Sequence, residues 1–252
     1  MAELLDLSLI LPAYNERASI ARTIEGAFGY FRSRGLKAEI IVAADGNDGT
    51  RELVREIAGE NPNLTVIGHE ERCGKGRGVR EAVWLARGRI IGYADADNKV
   101  PLDEYDKIAH WLNEGYAVVA GSRGLAQSKI ERYQPWYRRL GSRGFFYFLH
   151  ALIEMPVRDT QCGFKFFHRE TALHLFRLQQ IDGYMFDIEL LAFAHRLGYR
   201  IKEVPICWRD DADSRLQLLS GNVRNVIDVF RIRLYLEHRT EKASAATVAG
   251  EK

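Results

Sequence analysis

Asp95-Ala96-Asp97-Asn98 sets two carboxylates one residue apart, directly after the apolar run Ile90-Ile91-Gly92-Tyr93-Ala94. Two like charges crowded at the exit of a buried strand repel each other unless a cation lies beside them. Oxygen ligands of this kind suit a hard ion such as Mg²⁺ or Mn²⁺, which completes its shell with substrate phosphates and water. The pattern predicts a diphosphate-handling site. The plainer alternative is that one Asp caps a helix starting just after Pro101 while the other is solvated.

Three more segments could take part. Glu70-Glu71-Arg72-Cys73-Gly74-Lys75-Gly76-Arg77-Gly78 puts three glycines and several cations just before a predicted helix, where exposed N–H groups, the positive helix terminus and Lys75 would face an anion. Lys75 is not followed by Ser or Thr and the glycine spacing differs, so it is neither a Walker A loop nor a dinucleotide fingerprint; a flexible basic turn is the bland alternative. Asp45-Gly46-Asn47-Asp48-Gly49-Thr50 is turn-rich, with Asp45 able to accept from a base or ribose and Asp48 expected to cap the next helix. Between Arg123 and Tyr147, Arg123, Lys129, Arg132, Arg138, Arg139 and Arg143 alternate with aromatic residues against a single acid, Glu131. That mixture suits an anionic bilayer surface, and also single-stranded nucleic acid or ordinary core packing.

These loops need a scaffold that brings them to one edge. Short β-branched runs predict strands near Leu7–Leu11, Glu39–Ala43, Leu64–Gly68, Arg89–Ala94 and Ala117–Gly121. Amphipathic stretches predict helices near Arg17–Arg34, Thr50–Gly59, Arg77–Arg87 and Leu102–Asn113. Such alternation is the signature of an α/β fold with a mostly parallel sheet covered on both faces, whose ligands bind at the carboxyl ends of the strands. The second half is less regular, with helices near Arg138–Ile153 and Phe186–Leu197 and strands near Phe164–His168 and Lys202–Ile206. A last helix is expected from Val223 to about His238, carrying Val223, Val226, Ile227, Phe230 and Leu234 at helical spacing. Packing against the domain is the expected use of that stripe, with membrane contact as the alternative. Thr240–Lys252 is small, polar and without periodicity, and a disordered tail over 239–252 is expected.

Composition narrows the class. The 252 residues are 46% hydrophobic and 28% charged, enough for one large α/β domain or two small ones and too apolar for a disordered chain. The longest uncharged stretch, Gly144 to Ile153, is about half of the roughly 20 residues a spanning helix needs. The start of the chain lacks the pattern of a secretory signal, so a cytoplasmic location is expected. Cys73, Cys162 and Cys207 are odd in number, far apart and free of any Cys-x-x-Cys spacing, which disfavours a disulfide framework or a zinc knuckle. A net charge of +2 is too balanced to imply nucleic-acid binding by itself, so any functional charge must be local and no nucleic-acid partner is expected.

Taken in order, Leu9-Ile10-Leu11-Pro12-Ala13-Tyr14-Asn15-Glu16, Gly74-Lys75-Gly76, Asp95-Ala96-Asp97 and Asp159-Thr160-Gln161-Cys162-Gly163-Phe164-Lys165 resemble the family 2 glycosyltransferases, particularly the dolichyl-phosphate sugar synthases. The resemblance runs from about Leu7 to Arg233. It implies a GT-A fold, a nucleotide-binding α/β sheet merged with an acceptor-binding half. A single domain would cover 1–238, with a donor half at about 7–123 and an acceptor half at about 124–238.

By the same resemblance Pro12, Tyr14, Glu16, Asp45, Lys75 and Asp95 would bind the donor, and Asp95 and Asp97 would hold Mg²⁺ or Mn²⁺ on its diphosphate. Arg138, Arg139 and Ser142, with Arg209, Ser214 and Arg215 from a late phosphate-clamping element, would bind the acceptor phosphate. Asp97, Arg123 and Asp159 are the expected catalytic residues. Three departures stand out: Ala44 replaces the first acid of the usual Asp-Asp-Gly-Ser segment, position 99 is Lys where some relatives carry a metal-binding Gln, and the late element has Ala212 for Gly and Arg215 for Lys.

The implied reaction is an inverting transfer of a hexose from a nucleotide sugar to a dolichyl or polyprenyl phosphate. Phe186-Asp187-Ile188-Glu189 and Glu203-Val204-Pro205-Ile206 resemble the glucosyltransferases more than the mannose synthases, which favours UDP-glucose over GDP-mannose. A phosphate acceptor needs no base, whereas a hydroxyl acceptor would, with Asp159 and Asp187 as the candidates. Peripheral attachment to the cytoplasmic face of a membrane is expected, and a membrane protein partner is compatible with it. A same-fold transferase acting on a soluble hydroxyl, or an inactive sugar-nucleotide sensor, are the alternatives.

Overall fold

The computed structural model describes residues 4–130, 136–209 and 220–249, with side chains over 4–130, 144–209 and 223–237. Its centre is a seven-stranded sheet in the order β3-β2-β1-β4-β7-β5-β8. The strands are β1 (Leu5–Tyr14), β2 (Ala38–Asp45), β3 (Leu64–Ile67), β4 (Gly88–Ala94), β5 (Val118–Ser122), β7 (Phe164–His168) and β8 (Ile201–Pro205). Pairing is parallel except where β7 enters antiparallel between β4 and β5, matching Gly92 to Phe166 and Val119 to Phe166. A small parallel pair, β6 (Lys129–Ile130) with β9 (Cys207–Trp208), stands apart.

Strand side chains alternate between faces, and the sheet divides two apolar cores accordingly. Leu7, Leu9 and Leu11 of β1 enter one core with Ile40, Val42 and Phe166, while Ile10 enters the other with Ile41, Tyr93 and Phe167. Helices α1 (Ile20–Arg34), α2 (Thr50–Ala58), α3 (Lys75–Val83), α4 (Tyr105–Asn113), α5 (Trp136–Leu152), α6 (Arg169–Leu178), α7 (Phe186–Arg196) and α8 (Ser220–Ala249) cover the sheet. In α1 the buried residues Ile20, Ile24, Ala27 and Phe31 recur at the three-to-four spacing of one helical face, and Gly35 ends the helix at φ 63°. Every residue of α7 from Phe186 to Ala194 is buried, as expected of a helix that is apolar almost all round.

All the expected strands and helices are present with shifted ends. Three features differ from expectation. Helix α6 was not anticipated, although Ala172, Leu175 and Phe176 carry its spacing. The helix after β4 starts with a 3₁₀ turn at Leu102–Glu104. Helix α8 continues through Ala249, so most of the segment expected as a disordered tail is helical. That stretch is rich in Ala, the strongest helix former, and meets no Gly or Pro before Gly250.

The apolar stripe of α8 also corrects its expected use. Packing falls to Val229, Ile232 and Leu236, which are buried, while Val223, Val226, Ile227, Phe230 and Leu234 are 36 to 67% exposed. Among the described residues no helix is long and apolar enough to cross a membrane.

Candidate active site

Strand β1 pairs with β2 on one side and β4 on the other, so the chain crosses over at its carboxyl end and opens a crevice there. The turns leaving β1 and β4 carry Asn15 and Asn98, the non-glycine residues with positive φ among the described residues, both at 55°. Asparagine tolerates this left-handed conformation better than most side chains, and here it folds both loops tightly back over the sheet edge. Asn98 N–H donates to the Asp95 carbonyl at 3.2 Å, closing the turn that carries both acids.

Each of these acids faces an ammonium. Lys75 Nζ lies 2.6 Å from Asp95 Oδ1, and Lys99 Nζ lies 2.9 Å from Asp97 Oδ2. The Asp95 N–H donates to the Gly163 carbonyl at 3.0 Å. A Cβ at Gly163 would stand 2.1 Å from Asp95 Oδ2, so any larger residue there would force this carboxylate or the approach to β7 to shift.

Lys75 opens α3, two residues earlier than the sequence suggested, and the helix start presents it to Asp95. Gly74 precedes it at φ 109°, with space for a Cβ blocked by the Asp182 carbonyl at 2.3 Å. Asp45 is buried at the end of β2 and shapes the same loop: its Oδ2 accepts from Cys73 N–H at 2.7 Å and Gly74 N–H at 3.3 Å, and its Oδ1 from His69 N–H at 3.2 Å. Tyr14 is partly exposed at the mouth, with the Arg72 guanidinium 4.4 Å from its ring centre and bonded to Tyr184 Oη at 2.7 Å. Pro12 lies in β1 beside Ala43. Glu16 accepts from Ser19 Oγ at 2.7 Å where the chain turns into α1. Asp48 accepts from Thr50 N–H at 3.0 Å, but Gly49, and not the expected Asp48, stands at the N-cap of α2.

Beneath Lys75 lies a buried ionic cluster. Asp187 Oδ1 accepts from Tyr93 Oη and from Lys165 Nζ, both at 2.5 Å, and Lys165 also donates to the Cys162 carbonyl at 2.6 Å. Asp187, a candidate base for a hydroxyl acceptor, is buried and enclosed by Tyr93 and Lys165. Burial alone would depress the Lys75 ammonium, yet Asp95 and Asp187 outweigh it and hold it above the usual lysine range. Burial, reinforced by Asp187, keeps the Tyr93 phenol protonated well beyond its usual range. Lys165 and Tyr93 were not foreseen, since a lone Lys in Phe164–His168 reads as a solvent-facing strand residue.

On the other side of the crevice Arg123 grips Asp159 with Nε at 2.7 Å and Nη2 at 2.8 Å, and the Arg123 N–H adds a third bond at 2.9 Å. Glu203 in turn accepts the Arg158 and Asp159 N–H groups at 2.9 Å each. Burial works to raise the Asp159 carboxyl, but Arg123 prevails and holds it below the usual carboxylate range. Both oxygens are engaged, which suits aiming Arg123 and not accepting a proton. Arg209 N–H donates to the Lys99 carbonyl at 2.9 Å, which joins the end of β9 to the Asp95–Asp97 loop. The side chains of Arg138, Arg139 and Ser142, on the first turns of α5, lie outside the described residues, as do Ser214 and Arg215.

Asp95 and Asp97 fit a hard divalent ion. Both carboxylates are partly exposed, and the two ammonium groups already mark where positive charge is favoured. When bound, the ion would neutralise diphosphate charge.

A dolichyl-phosphate beta-glucosyltransferase of Trichomonas vaginalis is 31% identical over 91% of this chain and 73% of that protein. One from Dictyostelium discoideum is 30% identical over 90% and 73%. Among solved structures, glucosyl-3-phosphoglycerate synthase of Mycobacterium tuberculosis, in complex with Mn²⁺, UDP and its product, superposes with a TM-score of 0.68 at 25% identity over 91% of this chain and 80% of that one. Mannosyl-3-phosphoglycerate synthase of Rubrobacter xylanophilus, at 19% identity and a TM-score of 0.67 over 93% and 75%, shares the fold. These neighbours have the GT-A fold. The Glycosyl transferase family 2 model matches residues 8–176, two thirds of the chain, and the protein belongs to that family of glycosyltransferases.

Proposed function

We propose that this enzyme transfers glucose, with inversion, from UDP-glucose to the phosphate of a dolichyl or other polyprenyl carrier, with Mg²⁺ or Mn²⁺ on Asp95 and Asp97. The observation that carries this reading is the Lys75–Asp95 pair at 2.6 Å, set beside Asp97 at the carboxyl edge of the sheet. It combines fixed positive charge with metal-binding oxygens where a leaving diphosphate would need both. The glucosyltransferase relatives support the sugar and the acceptor, and the Mn²⁺ and UDP of the mycobacterial neighbour support the donor chemistry.

In this reading an acceptor phosphate oxygen attacks the anomeric carbon in line. The new carbon–oxygen bond forms as the bond to UDP breaks, and the electron pair leaves with the diphosphate. A bound divalent ion would supply Lewis-acid stabilisation of that charge. Lys75 adds a preorganised cation that needs no rearrangement during the step. A phosphate monoester has a second pKa of about 6, so the acceptor is already largely ionised near neutral pH and no base is required. Arg123, aimed by Asp159, faces the acceptor side, and Arg138, Arg139, Ser142, Arg209, Ser214 and Arg215 complete the acceptor phosphate site.

A lipid acceptor places the enzyme at a membrane surface, on its cytoplasmic face in this reading, and a membrane protein partner would be compatible with it. The exposed apolar face of α8 supports surface contact. The similarity to glucosyl-3-phosphoglycerate synthase favours a second reading, transfer to a soluble phosphorylated hydroxy acid.

The test is transfer of radiolabelled glucose from UDP-glucose, beside mannose from GDP-mannose, into organic-extractable dolichyl phosphate, with Mn²⁺, Mg²⁺ or EDTA. Metal-dependent lipid label from UDP-glucose is expected. Label appearing in 3-phosphoglycerate and not in lipid would favour the second reading.

A further inference from the structure

The loop that delivers Lys75 carries ligands of a different kind from the carboxylates of Asp95 and Asp97. Among the described residues, Asp45, His69 and Cys73 each offer one ligand atom, and the three atoms lie within 4.8 Å of one another. Oxygen, imidazole nitrogen and thiolate sulfur together suit Zn²⁺, whereas an all-oxygen pair suits Mg²⁺ or Mn²⁺. We infer that Asp45, His69 and Cys73 form a second cation site, selective for zinc over the hard ions.

The geometry is close to what zinc requires. Ligand atoms on one tetrahedral zinc at 2.0–2.3 Å stand roughly 3.5 Å apart, so closing the site takes a movement of about 1 Å. The three residues are already tied together, because the Asp45 carboxylate accepts the backbone N–H of His69 at 3.2 Å and of Cys73 at 2.7 Å. Oδ2 also accepts the Gly74 N–H at 3.3 Å, so it is Oδ1, with a single bond, that keeps a lone pair for an ion.

An outer partner is present as well. His69 Nε2 meets Glu81 Oε2 at 3.0 Å, and Arg77 Nε holds Glu81 Oε1 at 2.8 Å. A carboxylate on one ring nitrogen fixes the tautomer and leaves the other, Nδ1, as the nitrogen available to an ion, the arrangement by which outer partners orient metal-bound histidines. On the opposite side Arg51 Nη1 clamps the His69 carbonyl at 2.5 Å. Zinc would replace the Cys73 thiol proton, which passes to solvent, and three protein ligands would leave a fourth position open. An ion there would lock the end of β2 to the loop that ends at Gly74. The inference does not rest on the transferase reading, but Asp45 is also an expected donor-binding residue, so zinc and nucleotide would compete for it and the test is run without nucleotide.

The test uses the full chain, freed of metal and kept in excess Mg²⁺ so that hard-ion sites are filled. Cobalt titration followed by absorption should give a thiolate-to-cobalt charge-transfer band that Zn²⁺ abolishes. The band should vanish in Cys73→Ser and persist in Cys207→Ser. Calorimetry should show Zn²⁺ binding weakened at least about tenfold in Cys73→Ser and His69→Gln, and about 10- to 100-fold in Glu81→Gln. Metal-free thermal melts matching the parent separate a lost ligand from a lost fold; should Cys73→Ser not fold, His69→Gln decides. Absence of a thiolate band in the parent protein, its retention in Cys73→Ser, or zinc affinity in Cys73→Ser and His69→Gln equal to the parent's would overturn the site.

Discussion

Lys75 Nζ and Asp95 Oδ1 meet at 2.6 Å across the crevice at the end of the sheet, joining the start of α3 to the end of β4. Asp187, bonded to Lys165 behind them, adds to the field that keeps Lys75 charged. A fixed cation in a partly dry site is worth more to a developing anion than one in water, because it needs no reorganisation. Lys75→Met should therefore lower kcat by about 10²- to 10³-fold. Asp97→Ala should abolish metal-dependent transfer and leave the circular dichroism spectrum unchanged. Unchanged turnover in either variant would remove that residue from the mechanism.

Lys99 competes for the same charge. Its ammonium sits 2.9 Å from Asp97 Oδ2, where an incoming divalent ion must displace or share it. Because the Asp97 side chain is about one third exposed, solvent screens the pair. Lys99→Gln should tighten Mn²⁺ binding by only about two- to fivefold, measured by electron paramagnetic resonance without nucleotide. Weaker binding in the variant would mean that Lys99 assists the ion.

Asp159 yields a prediction with a defined pH window. Its folded pKa is depressed, so it contributes stability above the unfolded value of about 3.9, and that contribution is lost as pH falls through the folded value. Asp159→Asn should destabilise the protein by about 2–3 kcal/mol at pH 7. This is less than the 3–5 kcal/mol of a fully buried pair, because Arg123 is partly exposed. Urea unfolding should show the difference shrinking below about pH 4, where the carboxylate of the unfolded chain takes up its proton while the folded one, held lower by Arg123, is still ionised. A difference that grows on acidification would contradict the pairing.

Much of this site was legible because strand exits are marked by local signals. The Ile90–Ala94 run fixes where β4 ends, so Asp95 and Asp97 had to emerge at the carboxyl edge, and glycines flagged the loop before Lys75. Pairings between distant segments were not legible. Lys165 lies in an aromatic strand whose counter-ion, Asp187, comes from a helix 22 residues on, and no local pattern links them. Helix α8 illustrates a second limit: it carries two apolar faces, and periodicity alone does not say which one meets the core. Buried Val229, Ile232 and Leu236 answer that only in the folded chain.

Gly163 tests the closeness of the two halves of the site. An added methyl group would lie 2.1 Å from Asp95 Oδ2 and must push either the carboxylate or the start of β7 away. A displacement of about 1 Å at a reacting site can cost on the order of 10²-fold in rate. Gly163→Ala should show that loss in kcat/KM while secondary structure persists. Full activity would mean that Asp95 does not need its present position.

The exposed face of α8 makes the membrane reading testable apart from catalysis. At 100° per residue, Val223, Val226, Ile227, Phe230 and Leu234 fall within an arc of about 100°, with Arg224 and Arg231 along one border and Arg233 along the other. That is the pattern of a helix lying in a bilayer interface. Arg231 and Arg233 share their charge with Asp228 and Glu237, each at 3.2 Å, so apolar insertion should supply most of the attraction and salt should weaken it little. Phe230 is also the ring that meets Phe148 of α5, at 6.0 Å between centres, which extends the face toward exposed Tyr147. Transferring the exposed parts of Phe230 and Leu234 into lipid is worth roughly 1 kcal/mol each, so Phe230→Glu with Leu234→Glu should partition about thirtyfold less onto anionic liposomes. Thermal stability should change little, since surface substitutions usually stay within about 0.5 kcal/mol. Transfer to a short, water-soluble prenyl phosphate should be retained, while transfer to dolichyl phosphate in vesicles should fall with binding. Equal sedimentation of both proteins would assign the face to something other than lipid.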